Sequence, residues 1–451
     1  MALDEAAKQR ALAMTARAAT QFAGAAAGGR VAPEAPRRPT PRFEDLDGFK
    51  EIASMRRFGE ALGVPDPFFR SHEGRSGATA MIDGREVLNF ASYDYIGVNG
   101  DPRIAEAAKD AIDRFGVSVS ASRPTAGERP FYAAFEADLA DFTGAEKALT
   151  FVSGHATNVS AIATLVGPKD LLIVDELSHN SIMVGAQLSG AARRSFAHND
   201  LDALRAILER DREKFRNALI VVEGVYSMDG DHPDLAGLVA LKREFGAWLM
   251  VDEAHALGVL GARGSGLAEH AGVDAREVDV WMGTLGKALA SCGGYIAGSE
   301  ALIDLLRFKA PGFMYSVGAP PAIVAAAHGA LSILRAEPER ARRVQAVGER
   351  LLEGLRAAGV DTGHSVGAAV VPAMLGGSLR AVIAAERLLE AGVNAFPIVH
   401  PAVPEKAARL RFFVTASHTD AQIDQAIAAL TAVLEGLPAN DAALLESLGE
   451  R

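Results

Sequence analysis

The stretch Thr284–Gly294 contains one lysine, Lys287, among glycine, alanine and serine residues. It follows the apolar run Val278–Met282, which is typical of a buried strand that delivers the lysine into a tight loop. Burial disfavours the charged form of an amine and lowers its pKa, so such a lysine can attack an aldehyde. A surface lysine after a strand is the plainer interpretation, and the spacing alone leaves both open.

A second apolar run, Trp248–Val251, ends on Asp252, and His255 follows shortly after it. A carboxylate at a strand end can bind the N–H of a pyridinium ring. Asp252 and Lys287 together would therefore supply the protein's side of pyridoxal-phosphate (PLP) chemistry. A strand-capping role would also explain Asp252 by itself.

Other polar clusters also follow predicted strands. Ser153–Asn158 opens a predicted helix, whose backbone N–H groups could bind the cofactor phosphate. His179 could lie flat on a pyridine ring, and Ser227 could place a hydroxyl near the cofactor's O3′ atom. Arg409 and Arg411 alternate along a predicted strand, so one of them could bind a carboxylate bidentately.

Each cluster also has a structural explanation: a helix cap, a satisfied surface histidine, an Asp-Gly turn or an edge-strand charge. Their shared position at the ends of predicted strands is what favours a common site.

Several other functions are disfavoured. His255 has no second histidine at the spacing of a helical metal site and no cysteine cluster, so we predict no metal. No Gly-x-Ser-x-Gly elbow of a serine hydrolase occurs at a predicted strand–helix turn. The net charge of −11 argues against nucleic-acid binding. Cys292 is the single cysteine, which predicts a reducing, cytoplasmic location; we expect it to be a buried packing residue.

From about residue 131, short apolar segments alternate with helical segments. This pattern predicts an α/β fold with a mostly parallel sheet covered on both faces, and ligands at the carboxyl ends of its strands. The predicted strands are Lys147–Val152, Asp170–Val174, Ala218–Val222, Trp248–Val251, Val278–Met282 and Tyr295–Ala297.

The sequence predicts four segments: a flexible Ala/Pro-rich extension (1–42), a helix and hairpin (43–98), a large domain (99–335) and a small α+β domain (336–451). The Asp83-Gly84 pair predicts the hairpin turn. In the small domain we predict strands at Ala368–Leu375, Val393–Ile398 and Leu410–Thr415 and a frayed polar tail. Pro372 restricts the first of these strands to a sheet edge. No apolar run approaches the ~20 residues of a membrane span, so any membrane contact would be peripheral.

Six runs, in this order, resemble the α-oxoamine synthases, fold-type I PLP enzymes that join an amino acid to an acyl thioester with loss of CO2. The resemblance covers about residues 85–435. The runs are Ser153–Asn158, Leu177–Ser181, Glu223–Gly230, Val251–Gly258, Gly283–Gly294 and Arg409–Thr419.

The resemblance implies a seven-stranded sheet in the large domain, a homodimer and PLP as cofactor. It implies that Lys287 binds PLP covalently and moves the Cα proton, that Asp252 pairs with the pyridinium nitrogen, and that His179 stacks on the ring. His255 and Ser227 would approach O3′, and Arg411 would bind the amino-acid carboxylate. Phosphate contacts would come from Gly154, His155 (where relatives usually have Tyr or Phe), Thr284 and Ser316 of the other subunit.

Tyr93 occupies a position where biotin-pathway members tend to have Asn, and it is counted with the substrate-binding residues. With a tyrosine at this position, the chain resembles the serine palmitoyltransferases. Other runs resemble members of the family that use carrier-protein thioesters. We therefore expect L-serine plus a long-chain acyl thioester, carried by coenzyme A or an acyl carrier protein, in a sphingolipid-type reaction. The alternative is L-alanine plus a pimeloyl thioester, the 8-amino-7-oxononanoate reaction; glycine is a third option.

Three other classes are less compatible with the sequence. A PLP-fold regulator would carry a helix-turn-helix module, which the N-terminal segment does not show. A non-catalytic partner subunit would lack Lys287. An aminotransferase of the same fold is possible, but this run of motifs favours the synthase.

Overall fold

The structure, a computed structural model, describes residues 40–449. The extension predicted over residues 1–42 lies, as far as residue 39, outside the described residues. The chain divides into two compact units, Met1–Gly63 and Val64–Arg451. The four-segment division therefore remains a prediction. In the first unit the structure describes a 3-10 turn, Phe43–Asp45, and helix α1, Asp47–Ala61.

The large sheet of the second unit has seven strands in the order β4-β10-β9-β8-β7-β5-β6, and β10 alone is antiparallel to its neighbours. Every residue of β5 and β7 is buried, as expected of central strands covered on both faces. This confirms the predicted fold class. The strands are β4 (Lys147–Phe151), β5 (Leu171–Asp175), β6 (Ala192–Phe196), β7 (Ala218–Glu223), β8 (Trp248–Asp252), β9 (Val280–Thr284) and β10 (Gly294–Gly298).

Alternate residues of these strands enter two separate hydrophobic cores. Leu171 and Ile173 of β5 belong to one core, and Leu172 and Val174 belong to the other. The helices between Val64 and Ala336 are α2 (Pro102–Phe115), α3 (Pro130–Thr143), α4 (Gly154–Leu165), α5 (Asn180–Ser189), α6 (Leu201–Asp211), α7 (Leu235–Phe245), α8 (Leu267–Ala271), α9 (Glu300–Lys309), α10 (Pro311–Met314) and α11 (Pro321–Ala336).

Two smaller sheets complete the unit. One has the order β1-β2-β3-β12 and contains the predicted hairpin, whose turn is Asp83-Gly84. The other has the order β11-β14-β13, so the strand with Pro372 lies at an edge as predicted. Their elements are β1 (His72–Glu73), β2 (Thr79–Ile82), β3 (Arg85–Asn89), α12 (Glu339–Ala357), β11 (Val370–Met374), α13 (Ser378–Glu390), β12 (Val393–Asn394), β13 (Phe396–Ile398), β14 (Arg409–Phe413), α14 (Asp420–Glu435) and α15 (Asp441–Gly449).

Three expectations differ from the structure. The run Val393–Ile398 is not one strand: it divides at Ala395, because β12 pairs with β3 and β13 pairs with β14. The tail is helical over Asp441–Gly449, since burial of Leu444 stabilises α15. Cys292 is exposed, so its prediction as a buried packing residue was wrong. Among the described helices, none has both the length and the hydropathy of a membrane span.

Candidate active site

A cavity lies where β4, β5, β7, β8 and β9 reach their carboxyl ends, the edge predicted to bind ligands. It encloses about 390 Å³ of empty space, part of it open to solvent. A cleft of about 1030 Å³ beside Trp248 and Trp281 is larger but contains none of the predicted site residues, so volume alone does not locate the site. The cavity is lined by Gly154, His155, Asn158, His179, Ser181, Glu223, Asp252, Ala254, His255, Met282, Thr284 and Lys287.

Lys287 follows β9 in the predicted loop. Burial lowers the pKa of its amine to about 8, the charge of Asp252 opposes that effect, and the charge of Arg411 adds to it. A larger fraction of the amine is therefore unprotonated near neutral pH than in an ordinary lysine. The amine nitrogen lies 5.9 Å from the centroid of the Tyr93 ring.

Asp252, the last residue of β8, is buried and held by two donors. Its Oδ1 atom accepts from the Ala254 N–H at 2.9 Å, and its Oδ2 atom accepts from Asn158 Nδ2 at 2.7 Å. Glu223 lies opposite it on β7. Burial, and then the charge of Asp252, raise the pKa of Glu223 well above its usual range, which favours a neutral Glu223 beside a charged Asp252.

His179 caps the N-terminus of α5. Its backbone N–H donates to Glu223 Oε1, and its Nδ1 atom lies 2.7 Å from Ser181 Oγ. Burial lowers the pKa of the imidazole, followed in size by the opposing effect of Asp252. The ring is therefore neutral near pH 7.

His255 is buried beside β8, with its Nδ1 atom 2.5 Å from the hydroxyl of Tyr95. Its ring is stacked on Phe413 at a centroid distance of 6.0 Å. Burial, and then the charge of Lys287, lower the pKa of His255 well below its usual range, so this ring is also neutral.

The N-terminus of α4 meets the end of β9. A Cβ atom at Gly154 would lie 2.9 Å from Thr284 Oγ1, so the glycine allows the helix start and this hydroxyl to approach closely. Ser153 Oγ caps the helix by accepting from the Ala156 N–H at 3.4 Å, and His155 is exposed with Nε2 3.3 Å from Asn180 Oδ1. Free N–H groups beside a hydroxyl form an anion site.

Arg409 and Arg411 lie on β14 and are both buried, but within residues 40–449 only Arg409 has an acidic partner. Arg409 Nη1 donates to Asp229 Oδ1 at 2.6 Å. Arg411 Nη1 donates to the backbone oxygen of Ser227 at 3.2 Å, and its Nε has no acceptor among residues 40–449. A buried guanidinium without a carboxylate is suited to bind one from a substrate.

The structure brings together most of the predicted site. Arg411 is linked to Ser227 through the Ser227 backbone, and Tyr93, 41% exposed, lies above the Lys287 amine. Ser316 is half-buried and is not among the residues that line the cavity. Its assignment to the other subunit's site therefore remains a prediction.

Four residues of the site had no predicted role: Tyr95, Asn158, Ser181 and Glu223. The signal for Asn158 was present: it lies one helical turn after Gly154, so its amide shares the helix face of the anion site. Tyr95 gave no local signal, because it meets His255 only through the fold.

These residues fit PLP. Lys287 has a pKa of about 8, Asp252 retains lone pairs on the cavity side, and the Gly154 cradle has room for a phosphate where a Cβ would clash. The buried Nε of Arg411 is a donor that still lacks an acceptor among the described residues.

Comparisons with known proteins agree with this geometry. The family model "Aminotransferase class I and II" matches residues 85–430. The 8-amino-7-oxononanoate synthase of Geobacter metallireducens is 44% identical over 81% of this chain and 93% of its own length; that of Geotalea daltonii is 42% identical over 84% and 98%.

Solved structures are also similar. The serine palmitoyltransferase of Sphingomonas wittichii has a TM-score of 0.83 and 32% identity, covering 87% of this chain and 98% of that one. The 8-amino-7-oxononanoate synthase of Francisella tularensis has a TM-score of 0.68 and 25% identity, covering 78% and 98%. The chain therefore belongs to the aminotransferase class I and II family, and within it this protein is a PLP-dependent α-oxoamine synthase, a C-acyltransferase of fold type I.

Proposed function

We propose that the protein condenses L-alanine with a pimeloyl thioester to give 8-amino-7-oxononanoate. The observation that supports this choice is the sequence similarity: relatives that carry that name are 38–44% identical over most of both chains. The preference for L-serine that Tyr93 suggested is not confirmed, so the reaction expected as the alternative becomes the main proposal.

In the overall reaction, the amino acid's Cα gives up its proton and forms a C–C bond with the acyl carbon. The C–S bond breaks, and the leaving thiolate takes up a proton to become the free thiol. The carboxyl group leaves as CO2, and Cα takes up a proton. When bound, PLP supplies an electron sink for the bonds at Cα. Asp252 would bind the N–H of its ring, and the two donors from Ala254 and Asn158 keep that carboxylate oriented.

Lys287 would hold the cofactor covalently and then move the proton at Cα. Its lowered pKa suits both roles, since the amine must accept and return a proton near neutral pH. His179 would stack on the cofactor ring. Neutral His255, held by Tyr95, would approach O3′ together with Ser227.

Arg411 would bind the amino-acid carboxylate, and Tyr93 lies on the same side of the cavity as the Lys287 amine. Gly154, His155 and Thr284 would bind the phosphate. Because the amine, the guanidinium and the phosphate cradle are fixed before substrate arrives, orientation would account for much of the rate.

We further propose a cytoplasmic homodimer in which Ser316 of one subunit contacts the phosphate of the other. Tyr315 and Val317, which flank Ser316, are 85% and 49% exposed, and this apolar surface supports a subunit contact there. An acyl carrier protein remains a possible thioester donor under this proposal.

The test is a visible-absorbance titration of the PLP-loaded protein with L-alanine, L-serine and glycine, followed by turnover with pimeloyl-CoA or palmitoyl-CoA. We expect saturation with alanine and a product of the mass of 8-amino-7-oxononanoate. Saturation with serine and product only from palmitoyl-CoA would reject the proposal.

The reaction with L-serine and palmitoyl-CoA also has a supporting observation. The serine palmitoyltransferase structures superpose with higher TM-scores, 0.83 against 0.68 for the 8-amino-7-oxononanoate synthase. L-serine plus a long-chain acyl thioester is therefore the second candidate reaction.

A further inference from the structure

Asn158 is a buried amide to which the reaction described above gives only one contact, the one with the Asp252 carboxylate. It lies on α4, one turn after Gly154, and is 1% exposed. Helix α5 approaches it closely: a Cβ atom at Gly185 would lie 3.1 Å from the backbone oxygen of Asn158. The two helices therefore hold the amide between them.

The amide donates two hydrogen bonds. Nδ2 donates to Asp252 Oδ2 at 2.7 Å and to Ser181 Oγ at 2.9 Å. The orientation of the amide follows from chemistry, because an ionised carboxylate only accepts and would repel the amide oxygen. The Oδ1 atom is buried and has no partner among residues 40–449, so the contacts of Asn158 in the site are made by its donors.

The direction of the hydrogen bond between Ser181 and His179 follows as well. The backbone N–H of Ser181 donates to His179 Nδ1 at 3.3 Å, which makes that nitrogen an acceptor. The Ser181 hydroxyl, 2.7 Å from the same nitrogen, then donates to it, while its lone pair accepts from Asn158. His179 is therefore the neutral tautomer that carries its proton on Nε2.

We propose that Asn158 is a positioning residue that orients two PLP contacts at once, the Asp252 carboxylate directly and the His179 ring through Ser181. One amide thereby couples the group that pairs with the ring nitrogen to the group that stacks on the ring. Removing it leaves Asp252 with one donor and frees the Ser181 hydroxyl to rotate. The inference concerns PLP binding and holds for either proposed substrate pair.

The experiment compares Asn158→Ala, Ser181→Ala and a control, Ser160→Ala, with the parent protein. Ser160 is also a buried polar residue of α4, but it accepts from the Gly312 N–H at 3.0 Å, away from Asp252 and His179. For each protein, the dissociation constant of PLP is measured by titrating the PLP-free form. The hydrogen bonding of His179 Nδ1 is read from the 15N shift of that nitrogen in histidine-labelled protein, with His179→Gln identifying the signal.

Asn158→Ala is expected to raise the PLP dissociation constant roughly ten- to a hundredfold, since it removes a hydrogen bond to a charged group. In Asn158→Ala and in Ser181→Ala, the 15N shift of His179 Nδ1 should change, because the Ser181 hydroxyl bond to that nitrogen is weakened or lost while the Ser181 backbone N–H still donates to it. Ser160→Ala should change neither quantity. Thermal unfolding of the PLP-free proteins tests whether each variant is folded.

A folded Asn158→Ala protein with the parent's PLP affinity and the parent's 15N shift at His179 Nδ1 would overturn the proposal, as would equal changes in Ser160→Ala. If Asn158→Ala does not fold, Ser181→Ala still tests the link to His179. Neither measurement uses an amino acid or a thioester, so a negative result leaves the proposed reaction untouched.

Discussion

Two arginines on β14 show how surroundings separate residues that look equivalent in sequence. Arg409 and Arg411 are both buried, and side chains two positions apart on a strand share a face. Arg409 is neutralised by Asp229, whereas Arg411 is paired with no carboxylate among the described residues. Burial lowers the pKa of Arg411, a sign that its charge is costly in the absence of an anion.

Arg411→Gln is expected to raise the KM for the amino acid roughly ten- to a hundredfold, because a charge-assisted contact to the substrate carboxylate is lost. Its melting temperature should stay the same or rise, since an uncompensated buried charge is removed. Steady-state kinetics and thermal unfolding measure the two effects.

Arg409→Gln is the matched variant, and we expect it to lower the stability of the protein instead. It leaves Asp229 without its cation and should cost about 3 kcal/mol of stability. If Arg411→Gln lowered stability and left the amino-acid KM unchanged, its assigned role would be wrong.

At the scale of the elements, His198 joins the end of β5 to the loop that follows β7. Its Nδ1 atom lies 2.9 Å from Asp175 Oδ1, and its Nε2 atom lies 2.8 Å from Asp231 Oδ2. Burial works to lower the pKa of His198, but the hydrogen bonds of Asp175 and Asp231 outweigh it and raise the pKa to about 10. The same loop carries Ser227, whose backbone binds Arg411.

This ion cluster predicts a pH dependence of stability. The pKa of His198 is higher in the folded than in the unfolded protein, so its contribution is fully present below about pH 6.5. It decreases above that pH and is lost as the pH passes about 10. We expect His198→Gln to destabilise the protein by a few kcal/mol at pH 6 and by much less at pH 10.

Melting temperatures of the parent and the variant across this range measure the effect. His328→Gln is the control, because His328 bonds Asp138 at 2.6 Å in a more exposed position. A difference between parent and His198→Gln that stayed constant from pH 6 to pH 10 would contradict the charged cluster.

At the scale of the whole molecule, the proposed homodimer would bring Ser316 of one subunit to the PLP site of the other. Lys287 lines the cavity and Ser316 does not, although both were assigned to PLP. If Ser316 acts in the other subunit's site, the Lys287 and Ser316 defects of a mixed dimer fall in the same site and leave the other site intact.

Lys287→Ala and Ser316→Asp should each be inactive as pure proteins. The first removes the amine, and the second places a carboxylate against the cofactor phosphate. When the two are unfolded together and reassembled, we expect activity to return, because one site per mixed dimer is intact. Activity measurements, with light scattering to give the mass, would show this; a dimer without recovery would place Ser316 elsewhere.

The sequence by itself determined the sheet and the functional groups at its edge. Apolar strands such as Ala218–Glu223 must be buried on both faces, and the residues that follow them therefore meet at the carboxyl ends. Lys287, Asp252 and His179 could be found because each lies at or shortly after the end of a strand. The family also followed from these runs, whereas the choice of amino acid did not, since one position, Tyr93, cannot define a pocket.

The tertiary structure decided everything that depends on partners distant in the chain. It placed Tyr95 against His255 and Asn158 against Asp252, contacts that span 160 and 94 residues and leave no local pattern. It also decided which arginine is neutralised, and it divided Val393–Ile398 between two sheets. The physical reason is that periodicity reports which face of an element is buried, whereas hydrogen-bond partners and pKa values depend on which other elements cover that face.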